Sequence, residues 1–369
     1  MKKIILIILI CSLIPCVGYS QEESTLSTEL QEALDQGRTE TGIIEVSAAV
    51  ITPDEGLWLG VSGLSDKFPP EPIQPEMLFC IGSMTKHIIA TLVLQLAEEG
   101  VLELDDTVGE WLPDLPEKSA RWIDDTITIR QLLDHTSGIY NIFDTGSMWY
   151  VVTWFLAPRK IMEPEDTLRF VKRPYFAPGE GFHYSNTNYI LLGMIIEKAT
   201  NSNVAVELRN RFFDPLGLEK IFLDIEEPVT GEFAHGHMLG IDQTRFPREA
   251  RYSSGWTSAA MFSTAEDMAL WAQALFGGGV LSEDALEQMF DFNDTGWPLW
   301  EDEIRMGIGI MSINHPQFGE IWFFSGNFEG YVSYMFYLSE YDIVVVILIN
   351  QHLPDDSLLI ESLLGAVVN

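Results

Sequence analysis

Strand-forming sequence occupies both ends of this chain, and helix-forming sequence fills the middle. Near the start, Glu45–Thr52 (EVSAAVIT) and Gly56–Val61 (GLWLGV) read as strands joined by a Pro-Asp-Glu turn. Near the end, Ile321–Ser325, Tyr331–Tyr337 and Ile343–Ile349 read as strands linked by short turns. Between them lie helical runs at Ile129–Leu133, Asn188–Ala199, Ala205–Phe213 and Thr264–Phe276, with long loops. A polar helix (Thr25–Gly37) precedes the first strand, and Asp356–Val367 closes the chain as a helix. The expected fold class is α+β: one antiparallel sheet formed from both chain ends with flanking helices, plus a helix-rich insertion. In domain terms, residues 21–105 with 301–369 form the sheet part and residues 106–300 the helical part. A cleft between the two is the natural place for a site.

The segment SMTKHIIATLVLQLAEEG, beginning at Ser83, is apolar on nearly every face and stops at Gly100. That pattern predicts a helix buried inside a domain. At its head stands Ser83-x-x-Lys86, the one Ser-x-x-Lys in the chain. On a helix the two residues share a face, so the ammonium hangs beside the hydroxyl at the positive end of the dipole, and both would stabilise an alkoxide. A serine so placed can be made nucleophilic; the plainer account is an N-cap followed by a chance lysine.

Two further pieces carry polar chemistry. In PGEGFHYSNTNYILLGM, Tyr184-Ser-Asn186 lies between a Pro-Gly turn and an apolar helix. A tyrosine beside a lysine is expected to be pushed toward phenolate and to move the serine proton, while the Asn186 amide holds a substrate carbonyl. The structural alternative is a packed aromatic and a helix cap. In WFFSGNFEGYVSYMFY, Ser325-Gly326-Asn327 closes a strand before a tight turn. Gly326 admits a substrate backbone and Asn327 offers a donor to a developing oxyanion; an ordinary hairpin edge would read the same.

Taken together, these pieces resemble the serine β-lactamase and penicillin-binding protein superfamily, especially the branch of class C β-lactamases, D-alanyl-D-alanine carboxypeptidases and related esterases. The resemblance runs from Ile44 to Asn350 and includes LLDHTSGI (Leu132–Ile139), DPLGL (Asp214–Leu218) and SAAMFSTAEDMALW (Ser258–Trp271), in that order. It implies a β-lactamase-like fold. It also implies Ser83 as the acylated nucleophile, Lys86 as its activating partner and Tyr184 as general base and acid. Asn186 would orient the substrate amide, and the backbone amides of Ser83 and Asn327 would form the oxyanion hole. His135, in the HTSG stretch, is implied to be structural. One position departs: the third motif of the family begins with lysine or histidine, and here that residue is Phe324. A phenyl ring neither binds a substrate carboxylate nor tunes the tyrosine. The expected activity is therefore hydrolysis of a neutral ester or amide through an acyl-enzyme, by an esterase-, amidase- or D-peptidase-type enzyme without cofactor. The alternatives are a β-lactamase or D,D-carboxypeptidase with its cation supplied by Arg245, Arg248, Arg251 or Arg305, and a non-catalytic binder of cell-wall peptides or β-lactams.

Other features bound the reading. The formal net charge of −34 argues against nucleic acid or anionic lipid as partners. Residues 1–20 (MKKIILIILICSLIPCVGYS) read as a signal peptide cut after Ser20, for a secreted or periplasmic protein. A lipidated Cys16 and an uncleaved leader are the alternatives. With Cys11 and Cys16 removed, Cys80 would stand alone, flanked by Phe79 and Ile81 and fit for burial. His235-Gly-His237 would supply two metal ligands without a supporting cluster. Ser147–Phe155 (SMWYVVTWF) reads as core, a covering lid or an acyl pocket. The chain has no Gly-x-Ser-x-Gly elbow and no phosphate-binding loop. Oligomeric state is left open.

Overall fold

The computed structural model describes residues 24–64, 70, 72–145, 158–299 and 302–368. The expected signal peptide with Cys11 and Cys16, and the aromatic run Ser147–Phe155, lie outside these residues. Eight strands form the main sheet: β1 (Glu45–Thr52), β2 (Gly56–Gly63), β3 (Asn293–Leu299), β4 (Asp302–Met306), β5 (Met311–His315), β6 (Gly319–Phe328), β7 (Tyr331–Leu338) and β8 (Ile343–Ile349). Their order is β2-β1-β8-β7-β6-β5-β4-β3, antiparallel throughout. The two chain ends meet where β1 pairs with β8, Val46 opposite Ile349 and Val50 opposite Val345.

β1 and β8 are buried at every position, which is why they read as continuous apolar runs and not as alternating ones. Both faces are covered by helices. Tyr337 stacks on Phe276 of helix Ala265–Phe276, whereas Tyr334, three residues back and so on the opposite face, bonds Asp356 at the start of helix Ser357–Val368. The last helix packs against α1 (Thr25–Thr41), which is capped by Ser24 and ends at a left-handed Gly42.

α2 (Met84–Glu98) lies between the sheet and α3 (Asn186–Thr200), and residues Met84 to Leu94 are buried without a break. Its all-round apolar sequence is the consequence of having neighbours on every side.

Three strands, β3 to β5, escaped the sequence reading, and they carry the C-terminal part of the sheet back to Asn293, ahead of residue 301. NDTGWPL and DEIRM carry charges, a glycine and a proline, and β3 is mostly exposed. Such strands, at and next to the edge of the sheet, are held by pairing with their neighbours and have little pattern of their own. The helix expected over Ala205–Phe213 is Val204–Leu208 followed by a π-turn at Arg209–Phe213. Among the described residues, no helix is long and apolar enough to cross a membrane.

Candidate active site

Gly82 turns the chain from the short strand Phe79–Cys80 into α2 with a left-handed φ of 51°. Ser83 then adopts helical angles, and its side chain makes no capping hydrogen bond. The N-cap account of Ser83 is thereby set aside. Lys86 Nζ stands 3.0 Å from Ser83 Oγ, as the three-residue spacing requires.

The surroundings of that amine decide its chemistry. Lys86 is fully buried, and its Nζ also contacts Asn186 Oδ1 at 2.7 Å and the Ser258 carbonyl at 2.7 Å. Burial alone pushes the lysine well below its ordinary range. A neutral amine has two N–H groups and one lone pair. Asn186 Oδ1 and Ser258 O only accept, so they take both hydrogens and leave the lone pair for the Ser83 hydroxyl. The Ser258 carbonyl is available because it lies in the last turn of the short helix Trp256–Ala259, where carbonyls lack partners within the helix.

Asn186 is in turn fixed, and it does not cap its helix. Both its backbone N–H (3.2 Å) and its Nδ2 (3.1 Å) donate to Asn141 Oδ1, and Asn141 Nδ2 donates to Asp144 Oδ1 at 2.9 Å. Asn141 and the Ser258 carbonyl are the members that sequence reasoning missed. A backbone carbonyl has no signature in a sequence. Asn141, just past the HTSG stretch, carries only the weak signal of its neighbourhood.

Tyr184 completes the group. Its hydroxyl shares a hydrogen bond with Ser83, and Lys86 Nζ lies 4.9 Å from its ring centre. Burial pushes the phenol above its ordinary range, with the bond to Ser83 pulling the other way. This differs from the expected drift toward phenolate. The lysine that was to supply positive charge is itself shifted toward its neutral form by burial, so both shifts favour amine and phenol over ammonium and phenolate. His135 supports the Tyr184 ring from 4.3 Å away. Its Nδ1 accepts from the Ser185 amide at 3.2 Å, which places the ring hydrogen on Nε2. Burial foremost holds it well below the ordinary histidine value.

The last wall is the edge of β6. β5 pairs with β6 only as far as Phe323 (opposite Met311), so the edge beyond it faces a cleft of about 540 Å³. Ser83, Tyr184, Asn186, Phe324, Ser325, Gly326 and Asn327 all line this cleft, with Lys86 beneath its floor. A Cβ on Gly326 would stand 2.9 Å from the Ser83 nitrogen, and one on Gly82 2.9 Å from the Asn327 nitrogen. Two glycines thus let the strand edge close on the head of α2 and bring the two amides together.

Phe324 is fully buried, its ring 6.4 Å from that of His87, which burial lowers to about 4. None of the four candidate arginines reaches the cleft. Arg245 pairs with Asp242, Arg248 with Asp224, Arg251 lies 3.7 Å from Glu329, and Arg305 pairs with Glu320 at 2.8 Å. Among the described residues, the cleft lining contains no lysine or arginine. His235 bonds Asp242 away from the cleft, and His237 sits on a separate two-stranded ribbon.

Comparison with known proteins bears on this arrangement. The beta-lactamase family model matches residues 30–367. The chain belongs to the beta-lactamase family. The α+β fold described above agrees with that membership. Penicillin-binding protein 4* of Bacillus subtilis (strain 168) is 27% identical over 292 residues, covering 74% of this chain and 60% of that protein. Esterase EstB of Burkholderia gladioli is 30% identical over 216 residues, covering 57% of this chain and 55% of its own length. The chain therefore matches little more than half the length of these curated relatives. D-amino acid amidase from Ochrobactrum anthropi SV3, solved with L-phenylalanine, superposes with a TM-score of 0.80 at 28% identity, covering 93% of this chain and 98% of that one.

Proposed function

We propose that this beta-lactamase family hydrolase cleaves esters or amides that lack a carboxylate, through an acyl-enzyme on Ser83. The observation that carries the reading is the triple coordination of Lys86 Nζ, with two hydrogens held by acceptors and the lone pair left to the Ser83 hydroxyl. Ser83 Oγ attacks the substrate carbonyl carbon while its proton passes to Lys86 Nζ. The amides of Ser83 and Asn327 receive the oxyanion. As the tetrahedral intermediate collapses, the proton moves by way of the Tyr184 hydroxyl to the departing oxygen or nitrogen. A water then repeats the sequence on the acyl-enzyme, its proton leaving by the same pair, and the acid is released. The esterase and amidase among the relatives support both leaving groups.

The absence of a cation from the described cleft lining supports the exclusion of carboxylate substrates. The test is a set of three assays on the purified protein with a Ser83→Ala control: a short-chain p-nitrophenyl ester, a chromogenic cephalosporin and a D-Ala-D-Ala peptide. Turnover of the ester with little of the other two is expected. Stoichiometric labelling without turnover would replace this reading with a binding protein, and fast cephalosporin hydrolysis would replace it with a β-lactamase. Export follows from the reading of residues 1–20, and the N-terminal mass of the secreted or periplasmic form checks it.

A further inference from the structure

Among the described residues, the cleft lining carries one charged side chain, the carboxylate of Asp356. Ser325 on β6 stands directly opposite Tyr334 on β7, so the two side chains rise from the same sheet face about 5 Å apart at Cβ. The Tyr334 hydroxyl donates to Asp356 Oδ2 at 2.7 Å, and both residues line the same cleft as Ser83. Burial raises the Asp356 carboxyl, opposed by the Tyr334 bond and reinforced by neighbouring Asp355. The same lining carries the aromatic rings of Trp297, Phe323 and Tyr334, and Trp297, beside Tyr184, is 41% exposed although large and apolar.

We propose that Asp356 is the specificity residue of this cleft, and that the substrate class is esters and amides bearing an ammonium group seated between that carboxylate and the aromatic walls. The proposal rests on the hydrolase reading above and adds the substrate's charge to it. An ammonium meets an acceptor-only carboxylate already oriented by Tyr334, and aromatic faces attract the same charge. A substrate carboxylate meets repulsion at Asp356 as well as a missing cation at Phe324. The overall charge of −34 draws cations toward the protein and repels anions.

The experiment compares acyl p-nitroanilides in matched pairs on the native enzyme: glycyl against acetyl, 4-aminobutanoyl against butanoyl, and 6-aminohexanoyl against hexanoyl. For at least one pair the amine member should have a kcat/KM roughly tenfold or more above its neutral partner, the scale of one charge-assisted hydrogen bond. In Asp356→Asn that ratio should fall to near one, and in Tyr334→Phe it should fall part-way. Ratios of one or below in every pair, or ratios unmoved in Asp356→Asn, overturn the proposal while leaving the hydrolase reading intact. If Asp356→Asn does not fold, inhibition of the native enzyme decides, since hexylammonium should compete with a neutral ester and hexanoate should not. If no substrate is turned over, the hydrolase reading falls. Calorimetric binding of hexylammonium over hexanoate then still tests the acidic wall, and equal or absent binding of both overturns it.

Discussion

Gly326 is where a single methyl group has most effect on the chemistry. A Cβ there would stand 2.0 Å from the Ile81 carbonyl oxygen, 2.5 Å from Ser333 Oγ and 2.9 Å from the Ser83 nitrogen. The first contact is more than about 1 Å inside ordinary non-bonded separation. The Ile81 oxygen has no room to yield, because it accepts from Ser333 Oγ at 2.7 Å and from the Met84 amide at 3.1 Å. In Gly326→Ala the β6 edge must therefore retreat from the head of α2, and the Asn327 amide goes with it. Losing one oxyanion donor costs about 10²- to 10³-fold in kcat, and a 1 Å misplacement alone costs about 10²-fold. The expected kcat/KM on a p-nitrophenyl short-chain ester is accordingly lower by about 100- to 1000-fold. Overpacking should cost about 1–3 kcal/mol, tolerable against a typical stability of about 5–15 kcal/mol. Circular dichroism and a melting curve establish that the variant is folded. Gly365→Ala, in the last helix where an added Cβ would meet no described atom within 4 Å, is the control. It should keep full activity and gain up to about 1 kcal/mol. A folded Gly326→Ala enzyme within about threefold of native activity would refute the assignment of this edge to the oxyanion site.

Lys86→Met should lower the acylation rate by about 10²- to 10⁴-fold, read as loss of the burst of p-nitrophenol, since the general base is gone. In the native enzyme kcat/KM should rise with pH as Lys86 deprotonates and level off well below pH 10.5, the ordinary lysine value; a midpoint near 10.5 contradicts a desolvated amine. Stability follows the same group. Between the lowered folded value and 10.5 the unfolded chain binds the extra proton, so the Lys86 contribution rises with pH through that window and is flat below it. Urea midpoints of native and Lys86→Met protein across pH should show this slope only in the native protein. Asn141→Ala leaves Asn186 Nδ2 without its acceptor; kcat should drop about tenfold with KM nearly constant, because a positioning residue has been lost and not a contact with the substrate. Phe324→His should raise cephalosporin hydrolysis relative to ester hydrolysis, and an unchanged ratio would show that position 324 does not govern selectivity.

Much of the site was legible before any fold was known. Ser83 and Lys86 are three apart on a helix whose all-round apolar sequence required burial, so the contact follows from local pattern. The strands Glu45–Thr52 and Ile343–Ile349 were legible for the same reason: continuous apolar runs bounded by turn residues mark a sheet covered on both faces. The strands from Asn293 to His315 were not, because short strands at and next to a sheet edge take their conformation from the partners they pair with. The sense of the Tyr184 shift was also hidden, since it depends on how far a neighbouring lysine has been desolvated.

Sequence alone determined what is local. It placed a hydroxyl beside an amine on one helical face, put glycine at 82 and 326, and set a phenyl where a cation would serve carboxylate substrates. Tertiary structure decided what is distant. It brought the Ser258 carbonyl and the Asn141–Asn186 pair onto Lys86, closed the β6 edge on the head of α2, and set Asp356 on the cleft wall. The division has a physical cause. Helical periodicity fixes neighbours three residues apart by backbone geometry, whereas groups a hundred or more residues apart meet only when the whole core has packed around them.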